Sequence, residues 1–225
     1  MKAAVLFSGG KDSTLALYEV LKKGWEVKYL VTIEPESRES YMFHHPNVGF
    51  TKMQAESMGI PIMTGKTPGL KEKELSDLER VLKKIKNNIE CLVSGAIASN
   101  YQKSRVDRIC KKLGLESVAP LWHMNPEELW KSATESGFEI IITAVACEGL
   151  EKDWLGRKID KNNFEKLKSL SKKYRFHLGG EGGEFETFVL NGPIFKKPLK
   201  IVKSRTEWDN KTKSGYLVFE KILYN

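Results

Sequence analysis

The sequence lacks any run of 18 consecutive apolar residues, so we expect no segment that spans a membrane. The apolar stretch at the N-terminus covers only about five residues, and no small-residue cleavage site follows it, so it is typical of a core strand rather than a signal peptide. We therefore expect a cytoplasmic protein with no membrane partner.

Cysteine is also scarce. The three cysteines, Cys91, Cys110 and Cys147, are far apart and form no C-x-x-C pair. This spacing argues against a disulfide framework and against a cysteine-based zinc or iron–sulfur site. Each cysteine is predicted to be a small buried apolar residue rather than a nucleophile.

Acidic residues are outnumbered, with 29 Asp and Glu against 37 Lys and Arg, which gives a net charge of +8. This balance suits an acidic partner such as RNA. Much of the lysine, however, lies on amphipathic segments such as residues 71–88, KEKELSDLERVLKKIKNN, where it solvates one face of a helix. Charge alone therefore does not predict nucleic-acid binding, and we expect no stable nucleic-acid complex.

The first half of the chain alternates between strand and helix patterns. Strands are predicted at residues 2–7, 26–33, 61–64 and 90–95, and helices at residues 13–23, 50–58, 71–87 and 99–113. This order predicts a parallel sheet with helices on both faces, whose ligands bind beyond the carboxyl ends of the strands.

The second half changes character and predicts a smaller α+β domain. Helices are expected at residues 126–136 and 162–174, and strands at residues 138–147, 199–208 and 216–224. The last two strands are predicted to form a hairpin. We place the domain boundary between residues 122 and 123, which gives domains 1–122 and 123–225.

The stretch SGGKDS, residues 8–13, separates the first strand from the first helix. Gly9 and Gly10 have no Cβ, so the backbone can turn sharply and approach a ligand closely. The first N–H groups of the helix that follows have no intrahelical partner, which makes this position a site for phosphate. Ser8 and Ser13 add hydroxyl donors.

Two charged residues complete this loop. Lys11 supplies a mobile positive charge, whereas Asp12 would repel a phosphate unless it helps to hold a Mg²⁺ ion that bridges the phosphates. The loop matches neither the Walker pattern nor G-x-G-x-x-G.

A second informative stretch is residues 94–122. Ser99 can cap a helix whose first turns carry Tyr101, Gln102 and Arg105 near the ligand edge of the sheet. Arg105 can pair with a phosphate or a carboxylate. The alternative is an ordinary surface helix with a salt bridge between Arg105 and Asp107, or between Arg108 and a neighbour.

The third stretch is GGEGGEFETF, residues 179–188. Its four glycines predict a backbone that turns repeatedly or passes close to a ligand. Its three carboxylates repel one another unless a cation or hydrogen-bond donors offset their charge. The alternative is a flexible, solvated loop.

Together these stretches resemble the ATP-dependent diphthine–ammonia ligases, within the PP-loop ATP pyrophosphatase superfamily. The matching segments are SGGKDS, MFHHPN (42–47), YQKSRVDRICKKLGL (101–115), APLW (119–122), VACEGLEKDWLG (145–156) and GEGGEFETFVLNGPIFKK (180–197). Larger eukaryotic members carry further C-terminal domains, so the chain is similar to a short, archaeal-type form. Ala96 stands where eukaryotic members have an acid, and Asp107 where a Glu is usual.

The resemblance implies an adenine nucleotide alpha hydrolase-like fold and a reaction. Diphthine on translation elongation factor 2 would be adenylated by ATP with Mg²⁺, and ammonia would convert the acyl-adenylate to diphthamide, releasing AMP and pyrophosphate. Free ammonium is the expected nitrogen source. A homo-oligomer is compatible with the sequence.

The resemblance also assigns candidate residues. The ATP-binding set is Ser8, Gly9, Gly10, Lys11, Asp12, Ser13, Thr32 and Gly95, with Asp12 as the metal ligand. The substrate-binding set is Tyr101, Gln102, Arg105, Glu181, Gly182, Gly183, Glu184, Glu186 and Thr187. The catalytic set is Lys11, Glu184 and Glu186. An aromatic side chain, Phe185 or Trp122, could contact the quaternary ammonium of diphthine.

Two other functions stay open from the sequence. An ATP pyrophosphatase that modifies a tRNA base fits the basic charge but lacks an evident sulfur-transfer cysteine. A non-catalytic ATP-binding protein would leave the glycine–glutamate stretch without a role. The role of His44 and His45 is also open.

Overall fold

The computed structural model describes residues 1–35, 47–68 and 73–225, so His44 and His45 lie outside the described residues. The chain divides into two compact units, Met1–His123 and Met124–Asn225. Among the described residues, no helix combines the length and apolar character needed to cross a membrane.

The N-terminal unit is built on a parallel sheet. Its elements are β1 (Lys2–Leu6), α1 (Lys11–Lys22), β2 (Glu26–Pro35), α2 (Thr51–Met58), β3 (Ile62–Thr67), α3 (Lys73–Ile85), β4 (Cys91–Val93), α4 (Asn100–Leu113) and β5 (Glu116–Val118). The strand order is β3-β2-β1-β4-β5, and every neighbouring pair is parallel. The predicted parallel sheet is confirmed. β5 was not predicted, because three residues are too few to show the period of a strand.

Helices cover both faces of this sheet. Ala3, Ala4 and Val5 of β1 are all fully buried, although successive strand residues point to opposite faces. On one face, α3 and α4 contribute to a core cluster around Ala4. On the other, α1 packs against β1 and β2 with a buried apolar side that includes Leu17.

The helix ends follow the signals in the sequence. α2 and α4 both end at a left-handed glycine, Gly59 and Gly114. The Ser99 hydroxyl caps α4 by accepting a hydrogen bond from the Gln102 N–H at 3.3 Å. α1 begins two residues earlier than predicted, at Lys11, so the charged part of the loop is the first turn of the helix.

The C-terminal unit contains a four-stranded antiparallel sheet. Its elements are α5 (Pro126–Glu135), β6 (Glu139–Val145), α6 (Lys161–Tyr174), β7 (Phe185–Asn191), β8 (Leu199–Asp209) and β9 (Ser214–Tyr224). The strand order is β7-β6-β9-β8, and β8 and β9 form the predicted hairpin. The predicted α+β character of this half is confirmed.

Candidate functional site

The fold brings the glycine loop to the centre of the parallel sheet. β1 is the middle strand, and the chain order reverses on either side of it, which is the position where open α/β sheets bind ligands. Residues 8–13 follow β1 directly, and Gly95 follows the neighbouring strand β4. The structure therefore brings the predicted ATP-binding residues 8–13 and Gly95 together at one edge.

Close backbone packing explains two glycines of this edge. Gly9 has φ = 81°, and a Cβ placed there would lie 2.3 Å from Oε1 of Gln54. A Cβ on Gly95 would lie 2.7 Å from the carbonyl carbon of Asp12 and from the Ser13 nitrogen. A side chain at Gly95 would collide with the loop backbone, and at Gly9 the positive φ strains any residue other than glycine, so both positions require glycine.

The hydroxyl groups of the loop hold its turn. The Ser8 and Ser13 hydroxyls lie 3.2 Å apart, and Ser13 Oγ accepts a hydrogen bond from the Ser8 N–H at 3.2 Å. The Gly10 carbonyl accepts hydrogen bonds from the hydroxyls of Ser13 and Thr14, at 3.2 and 2.8 Å. The loop is therefore organised by its own side chains.

Lys11 is not the mobile charge that the sequence predicted. Its side chain is only 3% exposed, and Nζ lies 2.9 Å from Oδ2 of Asp12. The two opposite charges offset each other at the start of α1, where the helix dipole also favours an acid. This pair holds the ammonium group in a fixed place beside the loop.

Thr32 and Gln54 brace the loop from neighbouring elements. The Thr32 hydroxyl donates to the Phe7 carbonyl at 2.6 Å, so its side chain is committed to the end of β1. The Gln54 amide of α2 donates to the Gly9 carbonyl at 3.0 Å. The sequence analysis missed Gln54, because nothing in its local pattern indicates a contact 45 residues away.

At the start of α4, Arg105 stacks on Tyr101 with its guanidinium carbon 3.3 Å from the ring centroid. The predicted alternative pair of Arg105 with Asp107 is wrong, since Asp107 instead bonds Lys103 at 2.7 Å. Arg105 also lines a pocket of about 230 Å³, together with residues of α3 and α4 that include Arg108. The guanidinium is thus held by cation–π contact with the Tyr101 ring and by a hydrogen bond from Nη1 to the Tyr101 carbonyl at 3.4 Å.

In the C-terminal unit, the glycine–glutamate stretch is an ordered turn system rather than a flexible loop. The Glu184 carboxylate accepts two backbone hydrogen bonds, from the N–H of His177 at 2.9 Å and of Gly182 at 2.8 Å. The His177 Nδ1 accepts from the N–H groups of Gly179 and Glu181, at 3.2 and 3.4 Å. His177 was not predicted from the sequence to have this role.

Glu186 has a different environment from Glu184, although only one residue separates them. It lies within β7, opposite Ala144 of β6. Its Oε2 is buried and has no hydrogen-bond partner among the described residues. Burial raises the pKa of Glu186 to about 8, because the charged form loses its hydration. Glu186 is therefore a much stronger base than an exposed glutamate.

The remaining predicted substrate-binding residues of this stretch lie partly in the turn before β7 and partly within β7. Gly182 and Gly183 are exposed in the turn, with Glu181 half-buried beside them. Thr187 is buried and follows Glu186 in the strand, so its side chain points to the opposite face of β7. The structure does not bring all of these side chains onto one face.

The suggestion that Phe185 contacts a quaternary ammonium is wrong. Phe185 is buried and packs against Trp130 and Phe176, with ring centroids 6.4 and 6.5 Å away. The Trp130 indole N–H donates to the Leu178 carbonyl at 2.9 Å. These aromatic contacts anchor the turn system to the core. Trp122, in the other unit, is half-buried, with the Lys103 ammonium 5.6 Å from its ring.

The three thiols fit the prediction that they are not nucleophiles. Cys91 and Cys110 are buried, whereas Cys147 is half-buried. Burial raises the pKa of each to about 11, so all three are protonated at neutral pH. Sulfur transfer through a thiolate of this chain has no support in the structure.

The two hydrogen bonds of Glu184 lead to a stability prediction. Glu184→Ala is expected to lower the free energy of unfolding by about 2 kcal/mol, because two backbone N–H groups lose a charged acceptor. Urea unfolding monitored by Trp fluorescence measures the change. Glu135→Ala, which removes an exposed carboxylate with one distant ion pair, is the control and should change it by less than about 0.5 kcal/mol. Equal effects of the two variants would contradict the bracing role.

The glycine loop lies at the switch point of a parallel sheet and carries a buried lysine, Lys11, paired with Asp12. These features define the N-terminal unit as an α/β nucleotide-binding domain. The diphthamide synthase N-terminal domain model matches residues 1–117, and the diphthamide synthase C-terminal domain model matches residues 125–223. The chain belongs to the diphthamide synthase family. The family predicted from the sequence is confirmed, and with it the ligase class.

Individual relatives agree with this assignment. The diphthine–ammonia ligase of Rattus norvegicus is 37% identical over 222 residues, which are 89% of this chain and 83% of the relative. The enzyme of the same name from Schizosaccharomyces pombe is 35% identical over 89% of this chain, but the chain spans only 36% of that relative's length. A solved structure, described as a predicted subunit of tRNA methyltransferase from Methanocaldococcus jannaschii, covers 86% of this chain and 98% of its own, with 17% identity and a TM-score of 0.47. That likeness is too distant to carry a functional argument.

Proposed function

We propose that the chain is an ATP-dependent amide ligase that converts diphthine on translation elongation factor 2 to diphthamide. In this reaction ATP adenylates the diphthine carboxylate and releases pyrophosphate. Ammonia then attacks the acyl-adenylate, and AMP leaves. Adenylation is needed because a free carboxylate would have to expel oxide, which is a very poor leaving group.

The observation that carries this proposal is that two family models together match nearly the whole chain, 1–117 and 125–223. A likeness confined to the nucleotide-binding half would support only an ATP-using protein. The match across the C-terminal half, which contains the glycine–glutamate stretch, supports the particular substrate.

In the N-terminal unit, residues 8–13 bind the phosphates of ATP. The N–H groups at the start of α1 and the Lys11 ammonium offset the charge that develops on the departing pyrophosphate. Gly95 has no side chain, so it leaves room beside this loop. Near Thr32 the nucleotide is contacted by backbone groups rather than by the Thr32 hydroxyl, because that hydroxyl already donates to the Phe7 carbonyl.

The donor set of the loop also fits Mg²⁺. Among the described residues, no group of three or more His, Cys, Asp and Glu lies together as a protein cage. Mg²⁺ commonly uses only one or two carboxylates together with substrate phosphates and water. Asp12 would supply that carboxylate, and the ion would neutralise phosphate charge during adenylation.

In the C-terminal unit, Glu186 accepts the proton that must leave the nitrogen donor. With a pKa of about 8, the deprotonated form of Glu186 is a stronger base than an exposed carboxylate, and that form becomes more populated as pH rises toward 8. Glu184 acts as a positioning residue, because both of its oxygens hold the backbone of the turn. Substrate contacts are proposed for Tyr101, Gln102, Arg105, Glu181, Gly182, Gly183 and Thr187.

The test uses the purified chain with Mg-ATP, ammonium and elongation factor 2 arrested at the diphthine stage. AMP and pyrophosphate are measured, and the product residue is identified by mass spectrometry. We expect release that needs both the arrested factor and ammonium. Bulk tRNA serves as the parallel substrate, and release with tRNA alone would overturn the proposed function. Release of neither product with either substrate would also overturn it.

A further inference from the structure

Thr143 is a buried polar residue that has no role in the proposed reaction. It lies in β6, where the pairing with β7 is irregular: Ile142 pairs with Thr187 and Ala144 pairs with Glu186, which leaves Thr143 as an extra residue. In such a β-bulge, two residues of one strand oppose a single residue of the other. Thr143 and Ala144 therefore oppose Glu186.

At this bulge, two buried polar atoms have no hydrogen-bond partner among the residues that the structure describes, the Thr143 hydroxyl oxygen and Oε2 of Glu186. Thr143 is 0% exposed. An unpaired buried hydroxyl and an unpaired buried carboxylate are each costly, and finding both at one bulge points to a third group that bonds them. Ala144, the cross-strand neighbour of Glu186, adds little bulk there.

We propose that Thr143 and Glu186 together form the subsite that takes ammonium, the nitrogen donor of the reaction. This inference rests on the proposed function. Ammonium is small and has four N–H donors, which suit a carboxylate oxygen and a hydroxyl oxygen. A trimethylammonium group has no N–H donor and is too bulky for a site whose polar atoms are fully buried.

The chemistry that follows is balanced in protons and electron pairs. One N–H bond of ammonium breaks, and its proton forms an O–H bond with the Glu186 carboxylate. The nitrogen keeps the electron pair and attacks the acyl carbon, and the bond between that carbon and the AMP oxygen breaks. The second proton leaves the nitrogen to the AMP phosphate or to water. Thr143 acts as a positioning residue by accepting an N–H of the ammonium.

The test compares Thr143→Val with Thr206→Val, an exposed β8 residue, as the matched control. Thr143→Val is expected to raise the KM for ammonium about tenfold or more, with the KM for ATP unchanged. The Tm should stay the same or rise, because valine has a similar shape and removes an unpaired buried hydroxyl. Thr143→Ser should restore the KM. A folded Thr143→Val with the wild-type KM for ammonium would overturn the inference.

A binding measurement separates this inference from the proposed function. Ammonium chloride should raise the Tm of the wild type above its value in tetramethylammonium chloride at equal ionic strength, and Thr143→Val should abolish that difference. If the wild type turned over no diphthine substrate, the proposed function would fail. The Tm difference between ammonium and tetramethylammonium chloride, compared in the wild type and in Thr143→Val, would still test whether this site binds ammonium. A difference retained in Thr143→Val would then overturn the ammonium subsite.

Discussion

Glu186→Gln is expected to lower turnover about 100-fold or more while leaving ATP binding intact. Glutamine has nearly the same shape as glutamate but cannot accept the proton released by the nitrogen donor. Glu186 lies in the C-terminal unit, whereas the residues proposed to bind ATP lie in the N-terminal unit. Single-turnover release of AMP measures the effect, and equilibrium binding of a fluorescent ATP analogue measures nucleotide affinity.

The matched control is Glu139→Gln, which makes the same change on β6, at an exposed carboxylate paired with Lys158. This variant should keep the wild-type rate. A folded Glu186→Gln enzyme that also ran at the wild-type rate would remove Glu186 from the mechanism.

The same substitution has a consequence for stability. Burial raises the pKa of the Glu186 carboxyl from 4.5 to about 8, so the folded chain holds a proton that the unfolded chain has lost between these values. Stability therefore falls as pH rises from about 4.5 to about 8. At pH 8 and above, Glu186→Gln should unfold with a free energy higher than that of the wild type, by up to about 4 kcal/mol. Urea unfolding of the wild type and of Glu186→Gln at pH 5 and at pH 8 measures the difference between their free energies of unfolding at each pH. If this difference were the same at pH 5 and pH 8, the raised pKa of Glu186 would be contradicted.

Much of the N-terminal fold could be predicted because local signals agree with one another. Gly59 and Gly114 end helices where the sequence indicated, and the apolar strands between them are the strands of the sheet. The loop at residues 8–13 was recognisable because its polar residues interrupt an apolar pattern. Such signals depend only on residues close together in the chain.

The bracing of the site could not be predicted, because it depends on contacts between distant residues. Gln54 supports Gly9 from another helix, and only the folded sheet brings them together. Lys11 was expected to be mobile, but it is buried and paired with Asp12. Both features depend on where α1 begins, which the sequence pattern did not show. These are consequences of packing rather than of pattern.

The acids of the glycine–glutamate stretch show the same limit most clearly. In the sequence, Glu184 and Glu186 are equivalent members of one motif. In the structure, Glu184 bonds the turn backbone while Glu186 is buried in β7, and the difference follows from β7 beginning at Phe185. The position of Thr143 in a β-bulge could not be predicted for a similar reason, because a bulge is defined by the register of two paired strands.

Lys11→Met is expected to reduce pyrophosphate release by about 100- to 1,000-fold, because the charge that offsets the departing pyrophosphate is lost. Methionine keeps the apolar stem of lysine, so a side chain that is only 3% exposed in the native chain can be replaced without a large cavity. The effect should fall mainly on turnover, since the backbone N–H groups of the loop still bind the phosphates of ATP. Lys22→Met, at an exposed lysine at the end of the same helix, controls for the loss of a charge and should retain activity. If Lys11→Met raised the KM for ATP while turnover stayed at the wild-type level, Lys11 would bind ATP in the ground state only, and the pyrophosphate would be stabilised by the backbone of α1 alone.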